Sequence, residues 1–206
     1  TEAGNAIARV LYGDVSPSGK LPMSFPYTVG QEPLYYNQFP TGRPAHEANL
    51  SLPPGPASRF LSRYIDAPNA ALFPFGYGLS YTTFRYSDVA VSRATLPLRE
   101  GVSGHNRLVT AKAVVTNTGT RTATEVVQCY VSNSGASLEQ PMRSLKGFAR
   151  VTLQPGETKN VIFPLGFDEL SFFDNSGKEI VEPTNYNVWI GGNSLATDHA
   201  QFKIVR

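Results

Sequence analysis

The sequence predicts a mainly β chain, in which a two-sheet sandwich follows a short α/β segment and a long ordered connector. Two observations lead to this prediction. From residue 81 onward, short apolar segments alternate with turn signals roughly every 8 to 15 residues, which is typical of an all-β domain. Before residue 81, most of the prolines of this 206-residue chain lie among aromatic side chains with no sustained helical or strand period.

The β region divides into short predicted strands. Turn residues at Asn117-Thr118-Gly119, Asn133-Ser134-Gly135 and Gln154-Pro155-Gly156 separate several of them. About seven antiparallel strands with no helix between them fit a two-sheet sandwich of the immunoglobulin or fibronectin type III kind. Because the chain has a single cysteine, the disulfide of immunoglobulin domains is excluded and the fibronectin type III-like variant is favoured. The seven longer predicted strands are 83–93, 107–117, 123–132, 143–153, 157–165, 185–191 and 200–205, with a short additional pair near 170–173 and 178–181.

The first 26 residues predict one helix and one extended piece. Apolar residues recur at helical spacing within 4–12, and Gly13 follows as a C-terminal cap. A helix and one strand cannot close a core alone, so we expect residues 1–26 to be the end of a larger α/β domain and the chain to be internal to something longer. We expect apolar surface at Ile7, Val10, Leu11 and Phe25, which would let this segment self-associate or fray.

Residues 27–80 form the predicted connector, and residues 81–206 form the sandwich. The cluster Tyr35-Tyr36 with Phe39, and the run from Leu72 to Leu79, are too aromatic for a flexible linker and need a surface to pack on. The softest part is expected at 44–58, where Pro53-Pro54-Gly55-Pro56 indicates a polyproline-like loop.

Charge and hydropathy exclude several function classes. The formal net charge is +2 with no basic run, so the chain lacks the electrostatic footprint of a nucleic-acid-binding protein. No apolar run approaches the roughly 20 residues of a membrane span. The sequence indicates no cofactor and no metal site, because the histidines His46, His105 and His199 are far apart and show no ligand spacing.

The other residues that could take part in catalysis or binding are expected to have structural or surface roles. We expect Glu2, Asp14, Glu32, Glu47 and Asp66 to be surface, capping or turn carboxylates. Cys129, on a strand rich in β-branched residues, is expected to be a buried structural thiol. Strand alternation places the single tryptophan, Trp189, with Asn187 on the less buried face of its strand, where it either packs on a neighbouring element or stacks on a sugar, and packing is favoured.

Several segments, in order along nearly the whole chain, resemble the C-terminal part of a glycoside hydrolase family 3 enzyme of the bacterial β-glucosidase type. The early segments look like the end of that family's α/β sandwich domain and its connector, and the later ones look like its fibronectin type III-like domain. The segments that carry the resemblance are Gly4-Asn5-Ala6-Ile7-Ala8, Leu11-Tyr12-Gly13-Asp14, Pro17 to Pro22, Tyr35-Tyr36-Asn37, Thr41-Gly42-Arg43-Pro44, Ser62 to Asp66, Phe73 to Phe84, Leu145-Lys146-Gly147-Phe148, Leu153 to Gly156 and Leu170-Ser171-Phe172.

The resemblance implies a retaining glycosidase whose catalytic carboxylates lie upstream, the nucleophile in an N-terminal (β/α)8 barrel. No catalytic role therefore transfers to any residue of this chain, which alone is expected to be inactive. Its expected partners are the upstream catalytic domains of the parent enzyme, with a β-linked glycoside or oligosaccharide as substrate. The family's usual substrates imply export to the periplasm or the extracellular space.

On this reading the chain braces the catalytic domains, and the connector is expected to border the active-site mouth through Tyr35, Tyr36, Asn37 and Arg43. Two alternatives stay open. The sandwich could be an autonomous carbohydrate-binding or cell-surface adhesion module, which a solvent-facing row of aromatic side chains would support. It could also mediate oligomerisation of the parent enzyme.

Overall fold

The structure, a computed structural model, describes residues 2–43, 55–56, 59–98 and 107–206. Helix α1 spans Ala3–Leu11, a 3-10 turn spans Val29–Gln31, and helix α2 spans Phe167–Leu170. The strands are β1 Phe84–Val91, β2 Thr95–Pro97, β3 Arg107–Asn117, β4 Ala123–Ser134, β5 Ser144–Leu153, β6 Thr158–Gly166, β7 Phe172–Phe173, β8 Glu179–Ile180, β9 Asn185–Gly191 and β10 His199–Val205.

Two sheets face each other and enclose the hydrophobic core. One sheet has the strand order β1-β3-β6, the other has β2-β10-β9-β4-β5, and β7 and β8 form a small separate hairpin. Alternation along the strands directs one set of side chains inward, as in β9, where Tyr186, Val188 and Ile190 are buried. These side chains meet Val127, Leu165 and their neighbours from the other strands in one core cluster. The predicted mainly β, fibronectin type III-like sandwich is confirmed.

Two short elements within the sandwich were not predicted. Strand β2 pairs in parallel with β10, so the expectation of purely antiparallel strands was wrong. It spans three residues, of which only Leu96 is buried, and is too short to show a period. Helix α2 corrects the expectation that no helix lies between the strands; it is a single turn, begun where the Gly166 N–H donates to the Glu169 carboxylate at 2.7 Å.

The first helix lies on the surface of the described structure. None of its residues is buried, and Ile7 and Leu11 are exposed, as is Phe25 further along the chain. The turn after the helix uses Gly13 with φ at +81°, which fits the predicted cap. The Tyr81 hydroxyl donates to the Val10 carbonyl at 2.6 Å and so attaches the helix end to the rest of the chain. Fraying and self-association of this segment remain predictions.

The beginning and the end of the connector lie side by side. Residues 21–25 run antiparallel to residues 72–77, and the Phe25 carbonyl accepts from the Leu72 N–H at 2.8 Å. This pairing crosses the predicted boundary between 1–26 and 27–80, and the division of the chain into three parts remains a prediction. The loop expected to be soft, 44–58, lies largely outside the described residues.

One buried side chain organises the middle of the connector. Gln31 is only 1% exposed, and its amide oxygen accepts from the Tyr27 N–H at 2.5 Å. Its amide nitrogen donates to the carbonyls of Pro68 at 2.7 Å and Ala70 at 3.3 Å. The Tyr64 hydroxyl donates to the Gln31 carbonyl at 2.8 Å. Since a buried polar group is stable only when its hydrogen bonds are satisfied, this amide specifies how the two halves of the connector meet.

Candidate functional site

The connector packs on the outer face of β4 through aromatic rings. Tyr36 and Phe75 stack with their ring centroids 4.1 Å apart, and both meet the ring of Tyr130 edge-on, at 5.9 and 6.5 Å. The Leu145 N–H donates to the Tyr36 hydroxyl at 3.1 Å. Offset and edge-on pairs of this kind add to the energy of burial alone. Tyr36 is therefore attached to the sandwich by both its ring and its hydroxyl.

Beside these rings, Gln128 of β4 joins the connector to the β9–β10 loop. Its amide nitrogen donates to the carbonyls of Gly76 at 3.1 Å and Gly192 at 2.7 Å, while its oxygen accepts from the Tyr130 hydroxyl. Gly76 has φ at +79°, and a Cβ there would come within 2.0 Å of the Gln128 oxygen, so a side chain cannot be accommodated. Burial, and secondarily the neighbouring Tyr36, raise the pKa of Tyr130, which stays a protonated donor.

A buried ion pair attaches the segment before the connector to the same strand. The Lys20 ammonium lies 3.0 Å from the Glu125 carboxylate, with only 16% and 7% of the two side chains exposed. The Tyr86 hydroxyl donates to the same carboxylate oxygen at 2.8 Å. Burial, followed by the charge of Glu125, raises the pKa of Tyr86 above its usual range. We call these contacts together the junction: Lys20, Tyr36, Phe75, Gly76, Tyr86, Glu125, Gln128 and Tyr130.

Three of the four predicted substrate-proximal residues line one cavity. Tyr35, Tyr36 and Asn37 border an open cavity of about 600 Å³, which is within the size range of small-molecule sites. Its other walls come from residues 22–24, Pro26, residues 32–34 and Phe75. Arg43 does not line this cavity, because its guanidinium lies 5.1 Å from the centre of the Phe60 ring. The structure thus brings together three of these residues and separates the fourth.

Several residues expected to have ordinary structural roles can be placed in the described parts of the chain. Cys129 is fully buried, and burial raises the pKa of its thiol from 9.0 to about 12, as expected of a structural cysteine. No group of His, Cys, Asp or Glu side chains in the described ranges could hold a metal ion. The carboxylates with exposed positions are Glu2, Asp14, Glu32 and Asp66, whereas Glu47, His46 and His105 lie outside the described residues.

The Trp189 ring packs against neighbouring side chains. It lies on the half-buried face of β9, as predicted from alternation. The Arg143 guanidinium lies 4.4 Å from its ring centre, and the His199 ring is 6.2 Å away. Because the guanidinium already occupies a position on the ring, this observation favours packing over a sugar-stacking role. The aromatic side chain on the outer face of β4, Tyr130, is likewise covered by the connector, which argues against an autonomous module.

Two family models match the chain. Residues 1–81 match the glycosyl hydrolase family 3 C-terminal domain, and residues 125–194 match the fibronectin type III-like domain. The chain belongs to glycoside hydrolase family 3. It is the C-terminal part of β-glucosidase-like members of the family, which confirms the resemblance noted in the sequence.

Relatives and solved structures of family 3 agree with this assignment. The periplasmic β-glucosidase of Salmonella typhimurium is 46% identical over 205 residues, covering 100% of this chain and 25% of that protein. A β-xylosidase of Formosa agariphila is 41% identical over 95% of this chain and 24% of its own length. The crystal structure of the Listeria innocua β-glucosidase in complex with glucose superposes with a TM-score of 0.85 at 35% identity, covering 100% of this chain and 27% of that one. This chain thus spans about a quarter of its relatives' length.

The junction of this family 3 chain contains two residues that sequence reasoning missed, Glu125 and Gln128. Both are polar residues inside a strand otherwise rich in valine, and both are buried. The available signal was their position, since a polar side chain between β-branched residues on a central strand must find a partner if another element covers it. The partners, Lys20 and Gly76, are distant in sequence, so the pairing could not be deduced from spacing.

Proposed function

We propose that this chain is the non-catalytic C-terminal portion of a retaining, β-glucosidase-like glycoside hydrolase that removes terminal β-linked sugars, and that it braces the upstream catalytic domains. The observation that carries the proposal is the junction. It joins the segment before the connector, through Lys20, and the connector, through Tyr36 and Gly76, to one central strand of the sandwich.

A brace of this kind has a physical purpose in a multidomain glycosidase. A retaining mechanism needs two carboxyl groups about 5 to 5.5 Å apart on either side of the scissile bond. Misplacement by about 1 Å can cost two orders of magnitude in rate. A sandwich attached through a buried ion pair and a satisfied amide would limit such movement in the parent enzyme, because breaking either contact leaves a buried polar group unpaired.

The direct test compares activities on an aryl β-glucoside. We expect no hydrolysis by the purified 206-residue chain, full activity of the parent enzyme, and recovery of activity when the chain is mixed with the separately produced upstream portion. Hydrolysis by the chain alone, abolished by changing one carboxylate within residues 1–206, would refute the proposal. A preparation repurified to constant specific activity controls for contaminating glycosidases.

We also propose that Tyr35, Tyr36 and Asn37 are proximal to substrate in the parent enzyme, which their shared cavity and the 63% exposure of Tyr35 support. Arg43 does not line this cavity, so a contact of Arg43 with substrate is a separate proposal that the cavity does not support. In the parent enzyme, Tyr35→Ala is expected to raise KM several-fold with little change in kcat, because an exposed ring binds ground state and transition state alike. The exposed Tyr27→Ala is the matched control. Unchanged kinetics in both variants would count against the proposal.

Export of the parent enzyme is proposed as well. The support is that a relative carries the name periplasmic β-glucosidase. As a separate finding that does not bear on export, no helix in the described ranges is long and apolar enough to cross a membrane. Fractionation of the source cells, with activity on an aryl β-glucoside measured in each fraction, tests the location. Activity confined to the cytoplasm would contradict it.

A role of the sandwich in oligomerisation remains a hypothesis, which light scattering on the parent enzyme would examine.

A further inference from the structure

An apolar groove lies where the segment before the connector pairs with the end of the connector. Its volume is about 600 Å³, and its apolar walls come from Leu21, Phe25, Phe73, Tyr77 and Leu79. The rings form one continuous group, because the Phe73 centroid lies 6.5 Å from that of Phe25 and 5.0 Å from that of Tyr77. Phe25, Phe73 and Leu79 are nevertheless exposed. A continuous exposed apolar surface of this kind marks an interaction site.

The backbone fixes the shape of this groove. The Leu21 N–H donates to the Tyr77 carbonyl at 2.8 Å, and the Gly76 N–H donates to the Leu21 carbonyl at 2.8 Å. A Cβ on Gly78 would overlap the carbonyl oxygen of Gly19, so the two backbones are in contact and no side chain can separate them there. Docking on a preformed groove avoids the entropic cost of ordering its walls.

A turn divides the aromatic side chains of the connector into two groups. The Tyr77 N–H donates to the Pro74 carbonyl at 3.0 Å and so closes the turn. Phe75, inside this turn, packs on the sandwich through Tyr36 and Tyr130, whereas Phe73 and Tyr77 line the groove. The sandwich thus covers one group, and within the described residues the groove remains open, with Leu79 68% exposed.

Helix α1 presents further apolar surface beside the groove. The Ser80 hydroxyl, next to Leu79 in the chain, is hydrogen-bonded to the Ser16 hydroxyl at 3.0 Å, just after the end of the helix. The Arg121 guanidinium donates to the Gly13 carbonyl at 3.1 Å and attaches the same turn to the sandwich. The helix residues Ile7 and Leu11 are exposed. We call the groove and the exposed apolar residues of α1 together the docking surface.

The charges at the groove favour an apolar occupant. Lys20 is the only charged residue among the described residues that line it, and its ammonium already pairs with the Glu125 carboxylate at 3.0 Å. A charged partner would therefore lose water without gaining an opposite charge. An apolar polypeptide segment would instead remove both its own surface and the exposed rings from water, which is the main favourable contribution to association.

The family models indicate which polypeptide covers the docking surface. The model of the family 3 C-terminal domain matches residues 1–81, which include α1 and both walls of the groove, whereas the fibronectin type III-like model matches residues 125–194. The docking surface therefore belongs to the first domain and not to the sandwich. About three quarters of the Salmonella typhimurium relative lies outside the matched region. A segment of the same polypeptide has a high effective concentration and competes well against a second copy.

We propose that an apolar segment of the parent enzyme, from the part of its α/β domain upstream of this chain, covers the docking surface. The inference rests on the proposed function, because it takes the chain to be the C-terminal part of a multidomain glycosidase. It adds the place of contact. The junction joins parts within this chain, whereas the docking surface joins this chain to the upstream domains that it braces.

Photocrosslinking in the full-length parent enzyme identifies the occupant. The probe is Leu79→p-benzoylphenylalanine, and the matched control is Ile162→p-benzoylphenylalanine, at a position of similar exposure on β6. After irradiation and proteolysis, mass spectrometry should find position 79 joined to a peptide upstream of this chain, and position 162 joined to none. A covalent dimer through position 79, or cross-links from it only to residues 1–206, would overturn the inference.

Cysteine labelling tests the same contact with a smaller substitution. In the native parent enzyme, Leu79→Cys should react with iodoacetamide at least about tenfold more slowly than Ile162→Cys, each rate being divided by its rate in urea, because the docked segment shields position 79. Dilution should not change the ratio, since the occupant is part of the same polypeptide. Equal rates, or protection lost on dilution, would refute the inference. Neither readout uses activity, so a failure of the proposed glycosidase function is detected separately by hydrolysis of the aryl β-glucoside.

Discussion

The sandwich and the connector of this chain are stabilised in different ways. In the sandwich, most residues of the long strands pair with a neighbouring strand, and the interior is one apolar cluster to which β3, β4, β5, β6, β9 and β10 contribute buried side chains. In the connector, regular structure is scarce, and single side chains such as Gln31 and Tyr36 determine the path of the backbone. The apolar core is redundant, since many residues share the burial, whereas the connector depends on a few satisfied polar groups. Mutations should therefore act globally in the first region and locally in the second.

The largest difference should appear in the reactivity of Cys129, the only thiol of the sandwich core. Burial raises its pKa to about 12, so at pH 8 the thiolate fraction in the native chain should be far lower than in an ordinary thiol. Because the folded-state pKa is raised, this group favours the native state below pH 9, and that contribution is lost as the pH rises from 9 towards 12. Iodoacetamide labelling with and without urea measures the effect. Rapid labelling of the native chain at pH 8 would contradict it.

The core itself should show the largest loss of folding free energy. Leu165→Ala on β6 truncates a side chain that is 1% exposed and should cost about 2–5 kcal/mol through lost transfer energy and the cavity left behind. The matched control on the same strand is Ile162→Ala, at a position 59% exposed, which should change the free energy of unfolding by less than about 0.5 kcal/mol. Urea denaturation measures both. Equal losses in the two variants would show that the inward and outward faces of β6 are misassigned.

The same contrast explains what the sequence could predict. Strands β3 and β9 were predicted with the observed bounds, because a buried face imposes a period of two on neighbouring residues and that period is visible locally. The buried position of Cys129 and the half-buried face of Trp189 followed from the same argument.

The connector and the junction could not be predicted in this way. Aromatic density indicated that the connector is packed, but not that Tyr36 would meet Tyr130. The pairing of Lys20 with Glu125 joins residues separated by 105 positions, and no local pattern encodes such a contact. Three of the four predicted substrate-proximal residues are consecutive in the chain and therefore line the same cavity. The position of Arg43 relative to that cavity depends on the fold and could not be predicted from the sequence.

At the boundary between the two regions, Gln128→Leu should have an intermediate effect on the free energy of unfolding. The substitution removes the acceptor of the Tyr130 hydroxyl and the donor for two carbonyls, including that of Gly76, and should cost about 1–3 kcal/mol. Hydrogen exchange should also accelerate at residues 72–78 more than in β4. The control is Gln201→Leu, whose exposed amide bonds only Asn187 among the described residues and which should be nearly neutral. If the two variants lose equal stability, the junction does not join the regions energetically.

The smallest change in the free energy of global unfolding is expected for a substitution inside the connector. Gln31→Met keeps the length of the side chain but removes every hydrogen bond of its buried amide, including those to Pro68 and Ala70. Since these bonds lie outside the sandwich core, global unfolding should change by less than about 0.5 kcal/mol, while amide exchange at residues 27–37 rises at least tenfold. Gln38→Met, at an exposed position in the same segment, is the matched control. A cooperative loss of the whole fold in Gln31→Met would mean that connector and sandwich unfold as one unit, and the contrast between a redundant core and a singly fixed connector would then be wrong.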